Sequence, residues 1–403
     1  MEKLGIVEKI ADRIDDFRDQ SKVIHSIDDL IHQRITQLAL GYEDCNDSNY
    51  LRKDPLLKTM IKGLPEGSND LGSQPTFSRF ENSVSYRDIF RLSELMLEMY
   101  IKKVRQRRQK EIILDIDATN DPVHGEQEYA LFNGYYEENM YLENLVFDGD
   151  TGDMIAAVLK PGNYHCSKDV MPIIRRIVNR IKADLPDIKI TIRGDSGYGF
   201  PELMEYCENH EIDYLLGLRS NPKMFRKMRK LSRRAITRGL RTGREVRYFG
   251  QFKYGAQSWK SIKRNCVARI VSKDGNLDNR YIVTNIGIKS PKKTYEQYGQ
   301  RGQMENYIKD LKNDMKSGRL SCHSFVANFF RLQLSCFAYS VMQEIREVLK
   351  GTELDKAQSC TIRLVLFKIG ALVQETVRRV WIYLSSSYPR RDLFLLAYNR
   401  LVT

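Results

Sequence analysis

Hydrophobic positions along this chain follow a helical period at both ends and a strand period in the middle. The first 110 residues contain two helical stretches, IDDLIHQRITQLALGYED and YRDIFRLSELMLEMYIKKV. Between them, LRKDPLLKTMIKGLPEGSNDLGSQPTFSRFEN joins an apolar run, the PEG and ND breakers and a short helix from Pro75. That is the layout of a helix-turn-helix. In that reading Ser73, Gln74, Thr76, Ser78 and Arg79 face a DNA groove. An ordinary helical hairpin has the same pattern.

Near residue 110 the period changes. EIILDIDAT reads as a buried strand, followed by strands in YALFNGYYEEN and MYLENLVFDGDTGDMIAAVL, with turns at Glu137–Asn139 and Asp148–Gly152. DVMPIIRRIVNRIKADL predicts a helix, and IKITIRGDSGYG a strand entering a glycine-rich loop. PELMEYCENH predicts another helix and IDYLLGLR another strand. The order β-β-β-α-β-α-β implies an α/β sheet whose first strands form hairpins. From Arg219 to Arg247 there are 12 cations against one acid, Glu245. This run reads as a DNA-backbone track or as a solvated loop. Strands in EVRYFGQFKY, NCVARIVSK and RYIVTNI follow, so 220–290 is expected to be a mostly β insertion. The α/β core resumes over 291–320. A helical region, 321–403, closes the chain with helices in SFVANFFRLQLSCFAYSVMQEIREVL and TIRLVLFKIGALVQETVRRVWIYL. The expected units are therefore 1–109, 110–219, 220–290, 291–320 and 321–403.

Charge narrows the partners. Of 403 residues, 65 are Lys or Arg and 52 are Asp or Glu, a net charge of +13 that favours a polyanion such as nucleic acid. The seven cysteines form no CxxC pair, which suggests buried thiols in a reducing compartment. The N-terminus is charged throughout and does not read as a signal peptide. The most apolar run, FVANFFRLQLSCFAYSVM, is interrupted by Arg331 and Gln333, so it reads as a buried helix. The expected location is the cytoplasm, with no membrane partner.

The candidate chemistry lies in YEQYGQRGQMENYIKDLKNDMK, which reads as a helix. At 100° per residue, Tyr298, Arg301, Glu305 and Lys312 fall within about 60° of one another. Met304, Ile308, Leu311 and Met315 form the adjacent apolar face. A carboxylate flanked by cations and a phenol suits a metal ion and a phosphate bound together. Asp115 and Asp117 share one face of an apolar strand, where aspartate is disfavoured without a reason. Solvated carboxylates on an edge strand would also explain them. Asp195 lies just past another strand, among glycines. Adjacent parallel strands would bring both carboxylates to one sheet edge, with Glu305 as the third. Three converging carboxylates require a cation, and oxygen ligands favour Mg²⁺ or Mn²⁺. Two such ions per site support in-line phosphoryl displacement. Arg301 and Lys312 would hold phosphates.

The spacing Tyr298-x2-Arg301-x3-Glu305-x6-Lys312 resembles the Y-R-E-K signature of DDE transposases of insertion-sequence family 4 and its relatives. LDIDATNDPVHGEQ, FNGYY, LKPGNYHCS, RGDSGYG, GYEDCNDSNYLRKDP and QPTFSRFEN look like insertion-sequence family 1380 in particular, across nearly the whole chain. The resemblance implies an RNase H-like catalytic core: a mixed five-stranded sheet with flanking helices, interrupted by the insertion. It implies that Asp117, Asp195 and Glu305 are catalytic metal ligands; the x-Thr of the family pattern selects Asp117 over Asp115. It implies that Tyr298, Arg301 and Lys312 contact DNA phosphates. Lys309, Arg193, Arg233 and Arg234 are further expected DNA contacts. In the better-known relatives the insertion helps form a hairpin on the transposon end, and an aromatic stacks on a flipped base. Trp259 matches that aromatic by region only, and a core tryptophan of a β unit reads the same. His124 and Gln127, in HGEQ, resemble another family element near the site, as does Thr119; a polar loop on the sheet edge is the alternative for HGEQ.

The implied protein is a bacterial, nucleoid-associated cut-and-paste transposase. It would bind terminal inverted repeats as a homodimer in a synaptic complex and join 3′-hydroxyl ends to target double-stranded DNA. A domesticated transposase that only binds DNA is one alternative. A haloacid-dehalogenase-like phosphatase is another, because DxDxT also opens that fold; it would make Asp115 indispensable.

Overall fold

The computed structural model describes residues 1, 5–63, 69–260 and 262–402. The N-terminal region is helical, with α1 (Ile6–Ala11), α2 (Ile27–Leu40), α3 (Ser48–Leu51), α4 (Pro55–Lys62), α5 (Gln74–Ser83) and α6 (Tyr86–Arg107). Ser26 with Asp29, and Ser85 with Asp88, form capping boxes that start α2 and α6. Asp54 caps α4 ahead of Pro55, whose missing N–H costs nothing at the first helical position. The PEG breaker of the proposed helix-turn-helix lies outside the described residues.

The core follows as β1 (Glu111–Pro122), β2 (Leu131–Asn133), β3 (Glu138–Asp148), β4 (Met154–Pro161), α7 (Val170–Asp184), β5 (Lys189–Gly194), α8 (Pro201–Asn209) and β6 (Asp213–Leu218). Across the sheet the order is β4-β3-β1-β5-β6. β1, β3 and β4 pair antiparallel, whereas β5 and β6 run parallel to β1. This is the RNase H-like arrangement expected. Ile112, Leu114, Ile116, Ile190 and Ile192 pack with α7 and α8 on one side. Such strands are apolar nearly throughout because helices cover both sheet faces. The first hairpin turns at 134–137, earlier than the expected 137–139. The Asn133 carbonyl accepts from the Glu137 N–H at 2.8 Å, and Glu137 takes a left-handed φ of 58°.

The insertion corrects two expectations. It begins with a 21-residue helix, α9 (Pro222–Thr242), so the basic run is neither strand nor loop. Asn221 caps it, Gly243 ends it in the left-handed region, and Arg and Lys are good helix formers. Met224, Met228, Ser232, Ala235 and Gly239 recur at three and four residues and form its buried stripe. Its strands β7 (Val246–Tyr254), β8 (Arg264–Lys273) and β9 (Asn276–Thr284) do not form a separate unit. β9 pairs antiparallel with β6, so the five-stranded core widens into a nine-stranded sheet.

The segment expected as one helix is broken. It consists of α10 (Pro291–Gly299), α11 (Gly302–Lys309) and a π-helical turn over Asp310–Asp314. Arg301, Gln303 and Met304 donate to carbonyls three residues back, which tightens the chain between Gly299 and Gly302. The apolar face survives: Met304, Leu311 and Met315 are fully buried and Ile308 partly so. α12 (Phe325–Val348) is the buried helix expected from its composition; it packs on β4, α2, α5 and α6. No helix among the described residues is long and apolar enough to cross a membrane.

The last expected helix is also corrected. After α13 (Ser359–Ile362) and a π-helical turn over Arg363–Phe367, the chain forms a hairpin of β10 (Ala371–Thr376) and β11 (Arg379–Leu384), then α14 (Arg391–Val402). Val373, Val380, Ile382, Trp381 and Tyr383 are β-branched or aromatic, and Val373 faces Ile382 across the ladder.

Candidate active site

β1 and β5 are in register through Asp115 opposite Arg193 and Ile116 opposite Gly194. One residue further along each strand come Asp117 and Asp195. Both carboxylates thus emerge side by side, at the edge where α/β sheets bind ligands. Asp195 accepts from the Gly197 N–H at 2.8 Å and Asp117 from the Ala118 N–H at 3.0 Å. Burial pushes the Asp117 carboxyl up to about 6; the Arg301 guanidinium opposes that and the Asp195 charge adds to it.

Asp115 belongs to the interior. Its side chain and that of Arg193 are both 0% exposed, joined by Arg193 Nε to Oδ1 at 2.5 Å and Nη2 to Oδ2 at 2.6 Å. The third arm of Arg193, Nη1, donates to the Gln297 carbonyl at 2.8 Å, immediately before Tyr298. One buried guanidinium therefore ties together β1, β5 and α10. A Cβ on Gly149 would lie 2.5 Å from Arg193 Nη2, so only glycine closes over the pair. Arg193 is not available to DNA. Asp115 is not available as a nucleophile, and β1, β3 and β4 form antiparallel hairpins, so the phosphatase alternative fails on both counts.

Arg301 Nη1 lies 2.8 Å from Asp117 Oδ2. Tyr298 packs against the Asp195 loop, where its hydroxyl would lie 2.8 Å from a Cβ on Gly217; glycine there lets the phenol close on the loop. Glu305 does not converge with the aspartates. Its side chain is 59% exposed and its nearest cation is Arg301, 4.0 Å away. Arg301 and Glu305 stay aligned one helical turn apart, but only Arg301 reaches the aspartates.

Lys312 sits 2.8 Å from Asp121 Oδ1 and 3.2 Å from Thr119 Oγ1, and it also donates to the Asn120 carbonyl. It is thus anchored along β1 below Asp117. Beside it, Glu143 is fully buried opposite Thr119. Burial, then the Asp121 charge, holds the Glu143 carboxyl well above its ordinary range. A raised folded pKa favours folding below the ordinary value of 4.5 and loses that contribution as pH rises. Glu143→Gln, which keeps the shape and removes the ionisable carboxyl, is therefore expected to fold and to flatten the loss of Tm as pH rises above the ordinary value of 4.5. Thermal melts across that range measure it. Strand charges such as Asp121 and Glu143 were the overlooked sequence signal.

The other candidates are dispersed. Trp259 is 3% exposed, edge-on to Tyr254 at 5.4 Å and under Arg264, so it is a core residue and cannot stack on a base. His124 is exposed, and Gln127 accepts from Asn328 of α12 at 3.1 Å; that loop packs on α12. Arg233 and Arg234 lie on the exposed face of α9, and Lys309 is exposed at the end of α11. Ser73 precedes α5, its hydroxyl 3.1 Å from that of Thr76. Gln74 donates its N–H to Asn49, Ser78 is half-buried and Arg79 is exposed. A 750 Å³ cleft on another side of α11, lined by Asn306, Tyr307, Arg346 and Lys350, is separate from the carboxylates.

With two strand-end aspartates under an arginine of the Y-R-E-K segment, the sequence comparison decides the family. The family described as transposase DDE domain group 1 matches residues 1–403. The chain belongs to the DDE transposases. No curated protein matches it. Among solved structures it is similar to the piggyBac transposase synaptic complex with hairpin DNA, at 13% identity and a TM-score of 0.46, covering 90% of this chain and 77% of that one. As a DDE transposase, the protein is a nuclease and strand transferase of the kind that uses divalent metal ions. Its donor set tests that requirement: Asp117 and Asp195 supply hard oxygen donors at neighbouring strand ends, and Asp117 already pairs with a cation, Arg301. Glu305 lies one helical turn from that cation.

Proposed function

We propose that the protein is the cut-and-paste transposase of a bacterial element of insertion-sequence family 1380. It binds the terminal inverted repeats, cleaves them by metal-dependent phosphodiester hydrolysis and joins the 3′-hydroxyl ends to target DNA. The observation that carries this reading is the pairing of Asp117 with Asp195 at neighbouring parallel strand ends, faced by Arg301. Asp117 and Asp195 would hold Mg²⁺ or Mn²⁺, with Glu305 as the third carboxylate, and Arg301 would give up its pairing with Asp117 to do so. When bound, the ions supply an activated water and charge stabilisation at the leaving oxygen. Arg301 would then pair with a phosphate through its forked donors, and the partly buried Tyr298 sets its phenol against the Asp195 loop.

Two ends must be held together, so the active species is a homodimer on DNA. The outward face of α9 carries Lys223, Arg226, Arg229, Lys230, Arg233 and Arg234 with no acid between them, and it supplies a backbone track. Replacing Arg233 and Arg234 with Gln is expected to reduce the slope of log affinity against log salt by about 2, since each phosphate contact contributes about 0.9. A salt series of gel shifts reads this out. The reading as a whole is tested by incubating labelled element ends with the protein and Mg²⁺ and resolving nicked, hairpin and double-strand products. Absence of cleavage at every end overturns it.

A further inference from the structure

The Lys312 ammonium is fully engaged inside the protein. Its Nζ lies 2.8 Å from Asp121 Oδ1 and 3.2 Å from Thr119 Oγ1, and it donates to the Asn120 carbonyl. A lysine ammonium has three N–H donors, and these three acceptors, on consecutive residues of β1, take them all. The family resemblance expects this lysine to contact a DNA phosphate. The geometry leaves it no donor for one.

The acceptors sit in a closed pocket. Asp121 is 1% exposed, and Glu143, opposite Thr119 on β3, is 0% exposed. Alternation puts Thr119, Asp121 and Glu143 on one face of the β1–β3 pair. A Cβ on Gly318 would lie 2.5 Å from Asp121 Oδ1 and 3.7 Å from Lys312 Cε, so glycine lets the chain close over the ion pair. A carboxylate buried this deeply needs a paired cation, and Lys312 supplies it.

The anchor joins the two elements that carry the proposed metal ligands. β1 pairs with β5 only as far as Ile116, so from Asp117 onward β3 is its strand neighbour among the described residues. Lys312 reaches that stretch from the π-helical turn that follows α11. The turn is held from behind, where Asp310 accepts from Arg346 Nη2 at 2.8 Å and from the Ser359 N–H at 2.9 Å. Ahead of α11, Arg193 holds the Gln297 carbonyl. The helix bearing Glu305 is thus tied to the sheet before its start by Arg193 and after its end by Lys312.

We propose that Lys312 is a positioning residue, which clamps the Glu305 helix to the Asp117 strand with Asp121 as its buried counter-charge and makes no contact with a DNA phosphate. Its role in cleavage rests on the transposase reading. Carboxylates on a strand and on a helix share an ion only while the two elements keep their separation, and the groups that hold ligands in place set metal affinity.

The test compares Lys312→Met, Asp121→Asn and the double variant in the full chain, on duplexes carrying the element's terminal repeats. Lys312→Met is expected to melt lower, and the double variant, with no uncompensated buried charge, to melt near the unsubstituted protein. The slope of log affinity against log salt is expected to stay unchanged in each, where loss of one phosphate contact lowers it by about 0.9. Cleavage by Lys312→Met falls about tenfold to a hundredfold, and half-maximal rate needs more Mg²⁺. Asp121→Asn is slowed as well, and the double variant is no slower than Lys312→Met, because both changes remove one contact. A slope lowered by about 0.9 in Lys312→Met overturns the proposal. So does normal cleavage by the double variant, or single losses that multiply in it. If the unsubstituted protein cuts no duplex with any divalent ion, the transposase reading fails instead. The salt slopes and melts need only binding and folding, and they still decide where the ammonium is engaged.

Discussion

Asp117→Asn is expected to reduce strand cleavage by about a thousandfold or more while leaving end binding and Tm near their starting values. The partly buried Asp117 pairs with Arg301 and the Ala118 N–H, and Arg301 keeps Glu305 within 4.0 Å, so the amide is accommodated. The loss is chemical: it removes one of two carboxylates available to a divalent ion. Glu305→Gln is expected to behave alike, although Glu305 points to solvent here. The measurement is product formation from labelled ends with Mg²⁺, next to a gel shift and a thermal melt of each variant. Unchanged cleavage by Asp117→Asn sinks the assignment of that residue.

Two residues earlier the expectation reverses. Arg193→Leu leaves Asp115 buried and uncompensated and is expected to destabilise the fold by about 3–5 kcal/mol. It also frees the Gln297 carbonyl, so α10 loses its hydrogen bond to the β5 arginine while keeping its packing on β7 and β8. Replacing both partners, Asp115→Leu with Arg193→Met, removes the buried charge altogether and is expected to recover most of that stability. Cleavage is not expected to recover with it, because no donor remains to hold the residue before Tyr298. Denaturant melts of the single and double variants, paired with the cleavage assay, separate the two roles. A double variant as unstable as the single one contradicts this account.

The contrast between Asp115 and Asp117 shows how far pattern reading reaches. Alternation placed both on one face of β1, correctly, but could not say which of them faced a guanidinium two strand residues before Asp195. Similarly, the apolar stripe of Met304, Leu311 and Met315 was legible because burial follows a period. The polar stripe beside it assumed a constant 100° per residue, and the tightened turn at Gly299–Gly302 and the π-helical turn at Asp310–Asp314 broke that assumption. The basic run hid a helix because cations obscured its sparse stripe of Met, Ser, Ala and Gly. At the C-terminus an apolar segment long enough for a helix became the β10–β11 hairpin, since β-branched and aromatic residues suit a pleated ladder.

The sequence by itself determined the alternation of strands and helices through the core from Glu111 to Leu218, the positions of Asp117 and Asp195 after two buried strands, and the family signature Tyr298, Arg301, Glu305 and Lys312. These are local properties, set by periodicity and spacing along the chain. Only the tertiary structure decided that Arg193 braces the site from inside, that Lys312 lies along β1 with Asp121, and that Trp259 is core. Each of these depends on residues separated widely in sequence, brought together by sheet register and by the need to pair buried charge.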